Sequence, residues 1–283
     1  MTDVAIAHWM STLKTTLRTA YDSLIRKRGL ATVSRVADLV RRGGVSELRR
    51  GIRDYILLDT PIPIARVVRT GTLRAGGVTV LLKATSSEAL WRCGGHNEQP
   101  VQDDFVETVA PGDLVWDVGA NIGSYSLLAA EAGGGVVAFE PGPRARGSLV
   151  ANASLNNLKG RINATPYALA DCDSEGMLLP AERTGVRELA PDGDSGDTVP
   201  VQRGDSVDSP APDVIKIDVE GAEVAVLDGL AETLATVRVV YVEIHDGIDP
   251  SEVTDRLSAA GLSVSREWHD EEENLIVRSE RDG

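Results

Sequence analysis

The chain is poor in cysteine, in lysine and in long apolar runs, and each shortage removes a class of protein. Cys93 and Cys172 are the only cysteines among 283 residues. Two thiols cannot build a disulfide framework, and these two lack metal-ligand spacing, which points to bystander thiols and a cytoplasmic location. The ~18 uninterrupted apolar residues of a membrane span occur nowhere, and the N-terminus, with Asp3 and no apolar run, shows no targeting segment. An integral membrane segment is therefore not expected. Lysine is confined to Lys14, Lys27, Lys83, Lys159 and Lys216, so nearly all of the 29 basic residues are arginine, against 43 acidic ones. A net charge of −14 repels a phosphate backbone and argues against nucleic-acid binding. Acidic excess with scarce lysine resembles proteins of salt-loving organisms, where a Debye length of about 3 Å at 1 M salt screens self-repulsion.

What is present is organised around Leu114–Gly123, reading Leu-Val-Trp-Asp-Val-Gly-Ala-Asn-Ile-Gly. Apolar residues around Asp117 predict a buried parallel strand, and Ser124–Ala132 continues at once as a helix. Gly119 permits a tight turn and Gly123 permits close approach of helix and strand or ligand. Such a turn makes a cleft at the carboxyl end of a strand, where open α/β sheets bind their ligands.

The rest of the chain divides near residue 95, at the polar link Cys93–Glu98. Residues 1–95 read as an extension of helices over 4–28, 33–42 and 46–58 followed by a β-hairpin, Arg66–Leu73 with Val78–Lys83. Its arginine pairs read as solvated helix faces. Residues 96–283 alternate: helix 101–109, strand 114–118, helix 122–132, strand 135–139, helix 143–157, strand 162–168, strand 213–218, helix 222–235, strand 237–243, helix 250–260, and two final strands near 262–268 and 273–278. This pattern predicts an α/β fold, a mostly parallel sheet with helices on both faces and an antiparallel last strand. Residues 171–212 break the alternation with Asp, Gly and Pro, and read either as a substrate-covering excursion or as a disordered acidic insertion, with short strands at 176–179 and 199–202.

Three stretches carry chemistry. In the central turn a dinucleotide fingerprint would place glycine where Asn121 stands, so a pyrophosphate would meet a side chain. Asp117 instead suits a ligand with an ammonium group, such as S-adenosylmethionine. Glu140 stands 21 residues beyond Gly119, directly after the apolar run Val136–Phe139, where an acid accepts hydrogen bonds from ribose hydroxyls. The third stretch, Pro212–Glu223, carries Lys216 and Asp218 on one strand face. Buried Lys216 requires a carboxylate, and Asp117 and Glu243 are the expected partners. Asp218 and Glu220 reach the strand's carboxyl end, and His245 ends the next strand on the same rim. Glu223 reads as an acid favouring its helix dipole.

Together Asp117-Val-Gly-Ala-Asn-Ile-Gly123, Phe139-Glu140-Pro141, Ile215–Glu223 and Val242-Glu243-Ile244-His245 resemble class I S-adenosylmethionine-dependent methyltransferases, and among them the FkbM family, over residues 97–278. The resemblance implies a Rossmann-like, seven-stranded sheet with a reversed last strand, S-adenosylmethionine as methyl donor, and O-methylation of a small-molecule or glycan acceptor. It also implies that Asp117, Gly119, Asn121 and Gly123 line the methionine part and Glu140 the ribose, with Asp171 near the adenine amino group and Glu98 at the donor's polar end. The other readings are a dinucleotide-dependent oxidoreductase and a non-catalytic binding module of the same fold. For the acceptor hydroxyl, one of Asp218, Glu220 and His245 is expected to act as base while the others and Lys216 orient the substrate. His245 has the best-matched ordinary pKa, about 6.5. A Mg²⁺ held by Asp218 with Glu243 or Glu220 is the competing reading. The sequence shows no firm third ligand for it, so a metal-free site is expected.

Overall fold

The computed structural model describes residues 70–83, 98–178, 189–190, 197–270 and 274–281, all in the second of two structural units, Pro63–Gly283. The helices expected over 4–28, 33–42 and 46–58 and the division near residue 95 lie outside the described residues.

The described chain begins with a hairpin, β1 (Thr70–Ala75) and β2 (Val78–Lys83), turned at Gly76-Gly77. Helix α1 (Gln99–Thr108) leads into β3 (Leu114–Val118), α2 (Ser124–Ala132), β4 (Gly135–Phe139), α3 (Pro143–Leu155) and β5 (Ile162–Thr165). Four short strands follow: β6 (Ala168–Ala170), β7 (Ser174–Leu178), β8 (Leu189–Ala190) and β9 (Asp197–Arg203). Alternation then resumes with β10 (Val214–Ile217), α4 (Glu223–Gly229), β11 (Val239–Ile244), α5 (Pro250–Ala259), β12 (Leu262–His269) and β13 (Leu275–Arg281).

Seven strands form the main sheet in the order β12-β13-β11-β10-β3-β4-β5. Only β13 runs against its neighbours, so the expected α/β architecture with its reversed last strand is present. Val, Ile and Leu dominate the inner strands because both faces are covered, and β10 and β11 are buried throughout. Side chains divide by alternation: Val115, Val214 and Tyr241 join one apolar cluster, whereas Trp116, Ile215 and Val242 join the other. From β3 the chain winds through β4 to β5 on one side, and later from β10 to β11 on the other. The carboxyl ends of adjacent β3 and β10 therefore flank the sheet's topological switch point, the place where such sheets bind ligands.

The hairpin packs onto this domain. Leu73, Val80 and Leu82 are fully buried in the cluster that holds Phe105, Leu128 and Leu149, and burying each contributes about 1.5–3 kcal/mol. Two asparagines, one in the last turn of α3 and one capping its end, grip the hairpin's edge. Asn152, buried, accepts from the Lys83 amide at 2.8 Å and donates to the Ile122 carbonyl at 2.9 Å. One turn later Asn156 pairs with both the amide and the carbonyl of Leu81.

Two expected elements differ. The strand expected over 162–168 is divided between β5 of the main sheet and β6 of a second sheet, ordered β6-β9-β7-β8. The described parts of the 171–212 segment thus include three strands of a built sheet, β7, β8 and β9, with Val199 and Val201 buried. The helix expected over 222–235 ends at Gly229, and a separate turn occupies Thr233–Ala235. Its cause is Asp205, whose carboxylate accepts from the amides of Glu232 and Thr233 and from the Thr233 hydroxyl. A side-chain cap starts a new turn there.

Candidate active site

The turn after β3 fits its place through glycine. Gly119 has φ +81°, and a Cβ on it would lie 1.7 Å from the carbonyl oxygen of Asp218, so no side chain can stand there. Its amide and that of Ala120 both donate to the Phe139 carbonyl, at 3.0 and 3.1 Å, which ties the turn to the end of β4. Asn121 is also left-handed, at φ 48°, a conformation that asparagine tolerates better than most residues. Gly123 caps α2 at φ +90°. Below the turn Asp117 is buried and accepts from the Ser126 hydroxyl at 2.5 Å. Burial pushes its carboxyl above the ordinary value, against the pull of Lys216 and Ser126.

Glu140 closes the side of this turn. Its two oxygens accept from the amides of Gly142, at 2.7 Å, and Asn121, at 2.8 Å, and the residue is 8% exposed. Desolvation raises its pKa, partly offset by those two amides. The carboxylate is therefore fixed in direction beside the turn and has lone pairs to spare for hydroxyl donors.

On the other side of the switch point lies a dense charged cluster. Lys216 is buried, 2.6 Å from Asp218 Oδ2 and 4.0 Å from Glu243 Oε2, and its ammonium stands 4.7 Å from the centre of the Tyr125 ring. Its partner is thus the residue two positions along its own strand, with Glu243 more distant, while Asp117 is hydrogen-bonded to Ser126. Burial pulls the Lys216 pKa down, but the carboxylates of Asp218, Glu243, Asp117 and Glu98 outweigh it and hold it above its ordinary value. Burial and repulsion from Asp218 push Glu243 up to about 9. Burial and the Glu98 carboxylate push the Tyr125 phenol well above its usual range.

His245 sits where these carboxylates meet. Its Nδ1 is 2.6 Å from Glu223 Oε1, and its Nε2 is 3.3 Å from Glu220, 3.6 Å from Asp218 and 3.7 Å from Glu243. Burial alone would lower its pKa; the Glu223 hydrogen bond and the charges of Asp218, Glu220 and Glu243 reverse that and push it up to about 9. The ordinary value of about 6.5 assumed from sequence does not allow for four carboxylates around one imidazole.

The structure therefore gathers Asp117, Gly119, Asn121, Gly123 and Glu140 at one lip of the switch point and Lys216, Asp218, Glu220, Glu243 and His245 at the other. Glu98 belongs electrostatically to the second group. It stands at the start of α1 without capping it through its side chain, and is within 3.5 Å of Gln102 Nε2. Asp171, just after β6, is exposed, and its carboxylate acts on the Cys172 thiol. Sequence reasoning undervalued Glu223. It is fully buried, holds His245, and also accepts from the Gly221 amide at 3.1 Å. Ser126, one helical turn beyond Ile122, and Tyr125 were missed; their signal was position in the first turn after the glycine-rich stretch.

A family model for the methyltransferase FkbM domain matches residues 117–264. The hexuronic acid methyltransferase AglP of Haloferax volcanii is 30% identical over 239 residues, which cover 80% of this chain and 94% of that protein. Among solved structures, the methyltransferase FkbM of Methylobacillus flagellatus is 15% identical with a TM-score of 0.47, over 83% of this chain and 60% of that one. Magnesium protoporphyrin IX methyltransferase of Synechocystis, solved with bound S-adenosylmethionine, is 15% identical with a TM-score of 0.47, over 69% of this chain and 84% of that one. A family match that begins at Asp117 of the glycine-bearing strand end and runs beyond His245, joined to a relative of nearly equal length, makes this chain a member of the FkbM methyltransferase family.

Proposed function

We propose that this methyltransferase takes its methyl group from S-adenosylmethionine bound along the lip formed by Asp117, Gly119, Asn121, Gly123 and Glu140, and delivers it to an oxygen of a sugar. The observation that carries the donor assignment is Glu140: a nearly buried carboxylate at the end of β4, aimed by the amides of Asn121 and Gly142, is a built acceptor for a pair of ribose hydroxyls. Asn121, where a dinucleotide site needs glycine, disfavours a pyrophosphate and so an oxidoreductase reading. The sugar acceptor, of the uronic acid class, is supported by the AglP relative.

The sulfonium methyl needs no activation, so the protein's task is to align the acceptor oxygen with the methyl–sulfur bond and receive its proton. Asp218 and Glu220, after the strand next to the donor lip, are the groups suited to receive the proton, while His245, one strand further and held protonated at neutral pH by its four carboxylates, orients the acceptor. Lys216 holds Asp218 in direction, and Glu223 holds His245. Among the described residues no helix is long and apolar enough to cross a membrane.

Calorimetry with S-adenosylhomocysteine and with NAD tests the donor assignment. S-adenosylhomocysteine should bind and NAD should not; the reverse result ends the proposal. Labelled donor incubated with uronic-acid-bearing glycans, followed by mass spectrometry of the product, tests the acceptor.

A further inference from the structure

We propose that Asp218, Glu220 and His245 form a binding site for a divalent cation of the hard to borderline kind, with Mn²⁺ or Mg²⁺ the best match. Each residue offers one ligand atom, and the three atoms lie within 4.8 Å of one another. Two separations are more telling: Nε2 of His245 is 3.3 Å from Glu220 Oε2 and 3.6 Å from Asp218 Oδ1. Octahedral coordination with bonds of about 2.1 Å places neighbouring ligand atoms about 3 Å apart. A small contraction of this triad around a cation would meet that requirement.

The backbone explains the convergence. Asp218 and Glu220 leave β10, His245 leaves β11, and the two strands are parallel neighbours in register. The donor set is two carboxylate oxygens and one imidazole with no sulfur, which suits Mn²⁺ or Mg²⁺ and disfavours soft ions.

A separate observation concerns Glu223, which is not a member of the triad. A metal-ligating histidine almost always gives its other ring N–H to a carboxylate, a backbone carbonyl or a water, which fixes its tautomer and direction. His245 does this through Nδ1 to Glu223, leaving Nε2 for the triad. Glu223 is 0% exposed, and its second oxygen, Oε2, has no hydrogen-bond partner. A buried carboxylate satisfied at one oxygen only is costly unless positive charge stands nearby. The carboxylates of Asp218, Glu220, Glu223 and Glu243 crowd this lip, and Lys216 is the cation paired with Asp218 and Glu243. A divalent ion on Nε2 would add positive charge among these carboxylates. The inference deepens the methyl-transfer reading in one respect: a cation here would bind the acceptor oxygen and lower the pKa of its hydroxyl, whose proton would pass to the Glu220 oxygen that does not bind the metal.

The test is titration of the chelator-treated full-length protein with MnCl₂, followed by calorimetry and by loss of the free-Mn²⁺ electron paramagnetic resonance signal. S-adenosylhomocysteine binding is measured on the same samples. One Mn²⁺ per chain is expected, bound at least about tenfold more weakly by Glu220→Gln and by His245→Ala, and about 10–100-fold more weakly by Glu223→Gln. S-adenosylhomocysteine affinity in Glu220→Gln should stay that of the parent, which shows that the variant is folded. No saturable Mn²⁺ binding overturns the proposal, because an imidazolium among carboxylates takes up no metal. Equal Mn²⁺ affinity in the parent and in folded Glu220→Gln overturns it as well. If Mn²⁺ binds as expected while S-adenosylhomocysteine does not, the donor reading fails and the metal site stands.

Discussion

A Cβ placed on Gly119 would fall 1.7 Å from the Asp218 carbonyl oxygen, so the donor turn after β3 and the acidic stretch after β10 are in backbone contact across the switch point. Gly119→Ala must therefore push the two strand ends apart and carry a side chain at φ +81°. Strain of about 1–3 kcal/mol is expected. The measurement is S-adenosylhomocysteine affinity together with melting temperature, both of which should fall. A variant with parental values for both would show that the turn relaxes freely.

Glu140→Ala should weaken donor binding by about 1.5–3 kcal/mol, the scale of hydrogen bonds to a charged group. Calorimetry reads this directly, and an unchanged dissociation constant would remove Glu140 from the site.

The same carboxylate sets a pH dependence. Burial raises its pKa above the ordinary value, and the ionised form is the one with full accepting capacity. Donor affinity should thus be complete at neutral pH and decline on acidification, beginning at a higher pH than an exposed glutamate of about 4.3 would dictate. In Glu140→Gln this acid limb should be absent. Its persistence would assign the titration to another group.

Asp218→Asn and His245→Ala should keep donor affinity and lose turnover by about 10²–10⁴. Single-turnover methylation of a uronic-acid-bearing acceptor is the assay. Full activity in both variants would dismiss this lip from catalysis.

Stability should rise with salt from the millimolar into the molar range, since a net charge of −14 opposes compaction at low ionic strength. Thermal melts across that range provide the measurement, and a flat profile would count against the salt-adapted reading.

The sheet was legible because its inner strands are mostly apolar runs, a composition that burial on both faces explains, and because Glu140 follows Gly119 at a spacing that one βαβ unit imposes. Glu223 was not legible. An acid in the first turn of a helix has the same sequence signature whether it favours the dipole or holds a histidine, and only the pairing of β10 with β11 brings it to His245. Lys216 does pair across strands with Glu243, but its nearer partner is Asp218, which alternation places on the same strand face two positions on. The strands expected at 176–179 and 199–202 are there as β7 and β9; their joining with β6 and β8 into one sheet was not legible, because apolar residues such as Val199 and Val201 are few and far apart among the Asp, Gly and Pro of residues 171–212.

Asn152 uses one end of its amide on the hairpin and the other on the carbonyl of Ile122, inside the donor turn. Such a bridge makes the two parts a single lever. Both bonds belong to one buried side chain, so a displacement of β2 is coupled to Ile122, and through it to the glycine-bearing turn, by a single residue of α3.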